Sequence, residues 1–218
     1  MSRIVTLTLS PALDVATAVP RLYPDAKLRC APPVYAPGGG GINVARAIQR
    51  LGGRALAVFP AGGSTGRHLT DLLSAEGVPS QALKVEQWTR ECINLVERSS
   101  AQQYRLVMPA ARLELDEQEQ LLAALLALPR PDYLVVSADT SLGIAAPTVR
   151  KRSTVGAGDS MVAALTLKLA AGRQLAEAAR YGVAAGTAAI ITEGSELCRY
   201  ADTEQLFAWL QQSAAGAG

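Results

Sequence analysis

IVTLTLS, residues Ile4 to Ser10, is a nearly continuous run of apolar and β-branched side chains. A short run of this kind, with no polar face, suits a strand buried on both sides, as parallel strands are. ALAVFPA (Ala55–Ala61) and YLVVS (Tyr133–Ser137) read the same way. Helical patterns follow or flank them. INVARAIQRL begins behind Asn43, a good N-cap, and ends at Gly52 and Gly53. GGSTGRHLTDLLSAEG enters a helix through Ser64 or Thr65. LDEQEQLLAALLAL has acids in its first turn and stops at Pro129. DSMVAALTLKLAAG, LAEAARYGVAAGTAAIIT and DTEQLFAWLQQ complete the set. Strands alternating with helices predict an α/β layered domain.

Two segments fall outside that rhythm. ATAVPRLYPDAKLRCAPPVYAPG is rich in proline and alternates apolar with polar residues, and CINLVERSSAQQYRLVMP reads as a hairpin around Ser99–Ser100. Both suit a small antiparallel sheet beside the main domain, with one face wet or covered by a partner. The element count is unbalanced, with about six helices to three central strands. After YLVVS only ADTSLGIAAPTVRKRS precedes the next helix, whereas a crossover to a parallel strand takes about a dozen residues or more, usually a helix. Units are missing near Ser137–Ala138.

The 218 residues are 49% hydrophobic and 18% charged, enough apolar side chain to repay the entropy of ordering. A net charge of +2 excludes the basic footprint of a nucleic-acid binder. No apolar run approaches the roughly 18 residues that span a bilayer, and MSRIVTLTLS is a poor signal peptide. Cys30, Cys92 and Cys198 are odd in number and form no CxxC pair, which predicts free thiols in a reducing cytoplasm. The single histidine, His68, is expected as a solvated side chain near a helix start. Histidine-based nucleophile and zinc chemistry therefore lack residues, and acid–base work falls to carboxylates. The tail SAAGAG, residues 213–218, is expected to be disordered.

STVGAGDS, Ser153 to Ser160, is the strongest local signal. Gly156, Ala157 and Gly158 make a small-residue turn at the mouth of a helix, where backbone N–H groups and the helix dipole favour an anion. Asp159 in that first turn could take a proton from an attacking hydroxyl. The same residues also read as a helix cap after a glycine-rich turn. In PGGGGIN, Pro37 to Asn43, four glycines let backbone approach a ligand with no side chain in the way. The spacing is neither a dinucleotide fingerprint nor a Walker A loop, so a small polar ligand suits it better; the alternative, a flexible linker, is weakened by the helix that starts immediately after it. Asp14 in SPALD follows the first strand, where ligand groups gather beyond the carboxyl ends of an α/β sheet. Lys27, Arg29, Arg90 and Arg105 lie on the small sheet. Singly they are solvated cations; together they could neutralise a phosphate.

TLTLSPALD, KLRC, PGGGGINVARAIQRLGG, FPAGG, QYRLVMP and STVGAGDS together resemble the ribokinase/PfkB carbohydrate-kinase family, most of all its minor ATP-dependent 6-phosphofructokinase branch. The resemblance runs from Arg3 to about Leu210. It implies a ribokinase-like three-layer α/β/α sandwich over residues 1–212, with a small β-sheet lid from segments of about 15–37 and 88–108. It implies ATP, Mg2+ and a monovalent cation such as K+, and a cytoplasmic homodimer formed through the lid. By resemblance, Asp159 takes the proton from the C1 hydroxyl of fructose 6-phosphate, and the Gly156–Gly158 amides, Ala157 included, stabilise the transferring γ-phosphoryl group. Asp14, Gly39, Gly40, Gly41 and Asn43 fall at sugar-holding positions, and Lys27, Arg90 and Arg105 at substrate- or phosphate-contacting positions on the lid. Val183 and Thr187 match the adenine-side wall. Ser153, Val155, Ala189, Thr192 and Gly194 match a monovalent-cation site.

Family members continue after VVS with a glycine-rich loop, further βα units, an NxxE motif and a SLGxxGA-like loop. Here YLVVS runs straight into ADTSLGIAAPTVRKRSTVGAGDS, as an in-frame internal deletion near Ser137–Ala138 would produce. Ala110 stands where VMPG is usual, and Glu91-Cys92 interrupts the TRxNL pattern. Two alternatives accompany the kinase expectation. One is a catalytically inactive remnant that binds sugar phosphate or dimerises, and the other is a kinase for tagatose 6-phosphate or another phosphosugar.

Overall fold

The structure, a computed structural model, describes residues 3–137, 149, 152, 155–173, 175–192 and 196–215. In chain order the elements are β1 (Ile4–Leu7), β2 (Ala12–Val19), β3 (Val34–Gly38), α1 (Gly40–Arg50), β4 (Ala55–Ala61), α2 (Gly63–Ala75) and β5 (Ser80–Lys84). They continue with β6 (Arg90–Glu97), β7 (Gln103–Val107), α3 (Leu115–Leu126), β8 (Tyr133–Val136), α4 (Ala157–Ala170), α5 (Leu175–Ile191) and α6 (Tyr200–Ala215).

The central sheet is parallel, in the order β5-β4-β1-β8. Its fourth strand, β5, is absent from the sequence expectation of three. SQALK sits at the sheet edge and is only partly buried, so it lacks the apolar run that marks β1, β4 and β8. Ile4, Ala55, Ala57 and Phe59 face one side, packed with Ile48 of α1, Leu69 and Leu73 of α2, Ala163 and Ala164 of α4, and Tyr181 of α5. Val5 and Val58 face the other side, where α3 covers them through Leu121. That makes three layers, with one helix against several. The α3 start is fixed by Glu117, whose carboxylate accepts from the N–H groups of Glu114 (2.9 Å) and Glu86 (2.8 Å).

The second sheet runs β3-β2-β6-β7. It is mixed rather than wholly antiparallel, because β2 and β6 pair in parallel while β2–β3 and β6–β7 are antiparallel. Asp14 lies inside β2, opposite Ala36 and Cys92, and not in a loop after the first strand. Four further expectations shift. α1 starts at Gly40 with Gly39 as N-cap, so Asn43 is a residue of its first turns. Thr8 supplies the missing cap, its hydroxyl accepting from Ile42 N–H at 2.8 Å. α2 starts at Gly63, ahead of Ser64 and Thr65. His68 is half-buried, its ring 5.0 Å from that of Tyr35. α6 continues to Ala215, past the expected end of the ordered chain at residue 212. Cys30 is exposed and Cys92 and Cys198 are buried, all three as free thiols. Among the described residues no helix is long and apolar enough to cross a membrane.

Candidate active site

β1 and β8 end side by side, and residues of β2, β6 and β7 face the carboxyl ends of those strands, where α/β sheets collect ligands. Between them opens a cleft of about 270 Å³, lined among others by Asp14, Asn43, Arg90, Arg105 and Asp159. Gly39 and Gly40 form part of its wall. Gly39 has φ of 111°, which glycine adopts at little cost. A Cβ on Gly40 would overlap the Ser137 hydroxyl, and one on Gly41 would stand 2.6 Å from the Leu7 carbonyl. The glycines therefore let the α1 start press against the ends of β1 and β8.

Asp159 is the third residue of α4. The preceding N-cap, Gly156, is left-handed at φ 76°, and Leu197 packs where its Cβ would be. Among the described residues nothing lies within 4 Å of the Gly158 Cβ position, so the first turn of α4 leaves a cradle at a positive helix end, suited to a phosphate. Asn43 donates from Nδ2 to Asp159 Oδ2 at 3.1 Å. Arg46, almost fully buried, fixes that amide: its NH1 lies 3.2 Å from Asn43 Oδ1 and 2.7 Å from Pro37 O. A fork to Glu76, Nε–Oε2 at 2.7 Å and NH2–Oε1 at 2.6 Å, holds Arg46 in turn.

Burial pushes the Asp159 carboxyl above the usual range, opposed by the Asn43 hydrogen bond and the Arg105 charge. Burial also raises Asp14, with Asp159 adding to the rise and Arg105, Arg46 and Arg90 opposing it. A base whose pKa is lifted toward neutrality is better matched to its task than an ordinary surface carboxylate. Arg90 spans the cleft rim, donating to Met108 O (3.0 Å) and Ser10 O (3.4 Å). Arg105 extends from β7 and also borders an adjoining recess of about 170 Å³ floored by Asn94.

The structure thus brings together Asp14, Gly39, Gly40, Asn43, Arg90, Arg105 and Asp159, with Gly156–Gly158 at the same helix start. Gly41 packs behind the cleft. Lys27 is exposed on the β2–β3 loop and, like Arg29, does not line it. Val183 and Thr187 are buried in α5, where the Thr187 hydroxyl donates to Val183 O at 2.8 Å. The oxygens of Ala189 and Glu196 gather around Thr192 Oγ1 at 2.7 and 2.8 Å. Val155 lines the Asn94 recess, while Ser153 and Gly194 lie outside the described residues. Among the described residues no group of three or more metal-binding His, Cys, Asp or Glu occurs. Thr8, Cys92 and Ser137 also line the cleft. Thr8 and Ser137 were legible as the polar ends of two parallel strands; Leu197, which wedges Gly156, carries no local signal.

A profile described as pfkB family carbohydrate kinase matches residues 5–151 and 131–201. The chain is 36% identical to the ATP-dependent 6-phosphofructokinase isozyme 2 of Escherichia coli, covering 97% of this chain and 100% of that protein. The alignment runs over 309 residues, well beyond the 218 present here. Two crystal structures of phosphofructokinase-2 from Escherichia coli share the architecture, each covering 97% of this chain and 100% of its own. The complex with potassium superimposes at a TM-score of 0.86 and 36% identity. The complex with fructose-6-phosphate gives 0.85 and 34%. Similarity to a tagatose-6-phosphate kinase of Staphylococcus epidermidis is weaker, at 27% identity over 65% of this chain and 45% of that protein.

Proposed function

The chain belongs to the pfkB family of carbohydrate kinases, and from that premise we propose that its cleft serves transfer of the ATP γ-phosphoryl group to the C1 hydroxyl of fructose 6-phosphate. The observation that carries the reading is the convergence of Asp159, Asn43, Asp14, Arg90 and Arg105 on one small cleft at the carboxyl ends of the sheet. ATP, bound with Mg2+, supplies the phosphoryl group. Asp159 accepts the hydroxyl proton as the new O–P bond forms and the bond to ADP breaks. Asp14 and Asn43 hold sugar hydroxyls, and Arg90 and Arg105 offset the charge of the 6-phosphate. The Gly156–Gly158 amides at the α4 start stabilise charge on the phosphoryl oxygens. Ala189 and Thr192 fit a K+ site built from backbone and hydroxyl oxygens. The lid's exposed Val34, Leu106 and Val107 support a homodimer through the second sheet. The cytoplasm, with its ATP and phosphosugars, is the compartment that fits free thiols.

A second reading has an observation of its own. Val183 and Thr187, expected beside adenine, are sealed inside the helical layer, and the chain is far shorter than its alignment. On that reading the phosphosugar half of the site is built and turnover by the chain alone is negligible. ADP release with fructose 6-phosphate decides between them. A rate that falls about 10²–10⁴-fold in Asp159→Asn supports the kinase; fructose 6-phosphate binding without ADP release supports the remnant.

A further inference from the structure

β8 pairs with β1 on one side, and among the described residues no strand pairs with its other edge. Tyr133 and Val135 turn into the core face of the sheet. Leu134 and Val136 turn to the opposite face, level with Val5 and Leu7 in the pairing register. α3 shields that face at Val5 and Val58, but it leaves Leu134 and Val136 47% and 48% exposed. Parallel strands are normally covered on both faces, and an open apolar edge is a template for pairing with another chain.

The match to the family breaks at the same place. Its two blocks overlap at residues 131–151, so the residues that relatives have and this chain lacks enter within the stretch that holds β8. We propose that the outer edge of β8, together with the Leu134–Val136 face, docks a separate polypeptide that adds a strand to β8 and lays an apolar helix over those two side chains. A second copy fits less well. Pairing one β8 edge with another would satisfy the backbone, yet each copy would still leave Leu134 and Val136 without a covering helix. The inference rests on the family membership, on an edge that no described strand pairs and on the exposure of Leu134 and Val136, and it is independent of the chemistry assigned to Asp159.

The probe is the stretch of the Escherichia coli relative that the 309-residue alignment sets opposite the gap, tagged and co-expressed with the full chain. A companion chimera carries the same stretch inserted between Ser137 and Ala138. Co-purification of chain and probe in equal amounts is expected. It should fall about tenfold or more in Leu134→Lys and Val136→Lys, positions that solvent already reaches, and stay unchanged in Asp159→Asn. The chimera should melt higher than the chain. The proposal is overturned if the chimera is no more stable, if it is more stable but the separate probe does not co-purify, or if the chain forms a dimer that Val136→Lys splits and that excludes the probe. Loss of activity in Asp159→Asn with the complex intact would bear on the kinase reading alone.

Discussion

Asn43 Nδ2 donates to Asp159 Oδ2 at 3.1 Å, tying the first turns of α1 to the first turn of α4 across the cleft. A hydrogen bond to the charged carboxylate favours ionisation and partly offsets the effect of burial. In Asn43→Ala the Asp159 titration should therefore move further up, read by carbon-13 NMR of the labelled carboxyl. An unchanged or lower midpoint would show that the bond does not act on Asp159.

The Asn43 amide is oriented from behind by Arg46, which Glu76 grips in a two-point fork. Arg46→Ala leaves Pro37 O and Asn43 Oδ1 without their buried donor, a loss of about 1–3 kcal/mol. Denaturant unfolding should show it. The Asn43→Ala, Arg46→Ala double variant should lose less than the sum of the single losses, since the two residues share one network.

Gly156 and Gly158 stand two residues apart and should respond in opposite ways. Gly156→Ala places a Cβ against Leu197 on a left-handed backbone, a conformation that costs about 1–2 kcal/mol for other residues. Its melting temperature should fall. Gly158→Ala meets no described atom within 4 Å in a helix and should hold or slightly raise stability, while its methyl group narrows the phosphate cradle and weakens ATP binding. Equal ATP affinity in Gly158→Ala and the parent chain would remove the cradle from the account.

Asp14 and Asp159 both have folded pKa values raised chiefly by burial. A raised folded value means that the charged form burdens the fold, so stability falls as pH climbs from the unfolded value of about 3.9 through the folded one. Asp14→Asn and Asp159→Asn should accordingly melt higher than the parent chain at neutral pH, and the gain should shrink toward pH 4. Thermal melts across that range test the sign; a loss at neutral pH contradicts it.

Much of the frame is legible in the amino-acid sequence. β1, β4 and β8 announce themselves because each is a short run of apolar and β-branched side chains, and the glycine turns at Gly39–Gly41 and Gly156–Gly158 sit where helices begin. β5 escaped because an edge strand needs little apolar surface. Asn43 looked like a cap because the cap arrives at Ile42 from Thr8, 34 residues away just past the end of β1, a relation that local sequence does not contain. For the same reason the Glu76–Arg46–Asn43–Asp159 chain was invisible: its members lie on α1, on α4 and at the C-cap of α2. The shortage of units after Ser137 was legible as an imbalance between helices and strands, and the bare Leu134–Val136 face is its structural counterpart.

Both readings of the function share one claim, that this cleft holds a phosphosugar through Asp14, Arg90 and Arg105. Titration calorimetry of fructose 6-phosphate into the chain and into Arg105→Ala tests it without requiring turnover. One site per chain is expected, weakened about tenfold or more when the Arg105 charge-assisted contact is lost. No binding, or equal affinity in the variant, would contradict it.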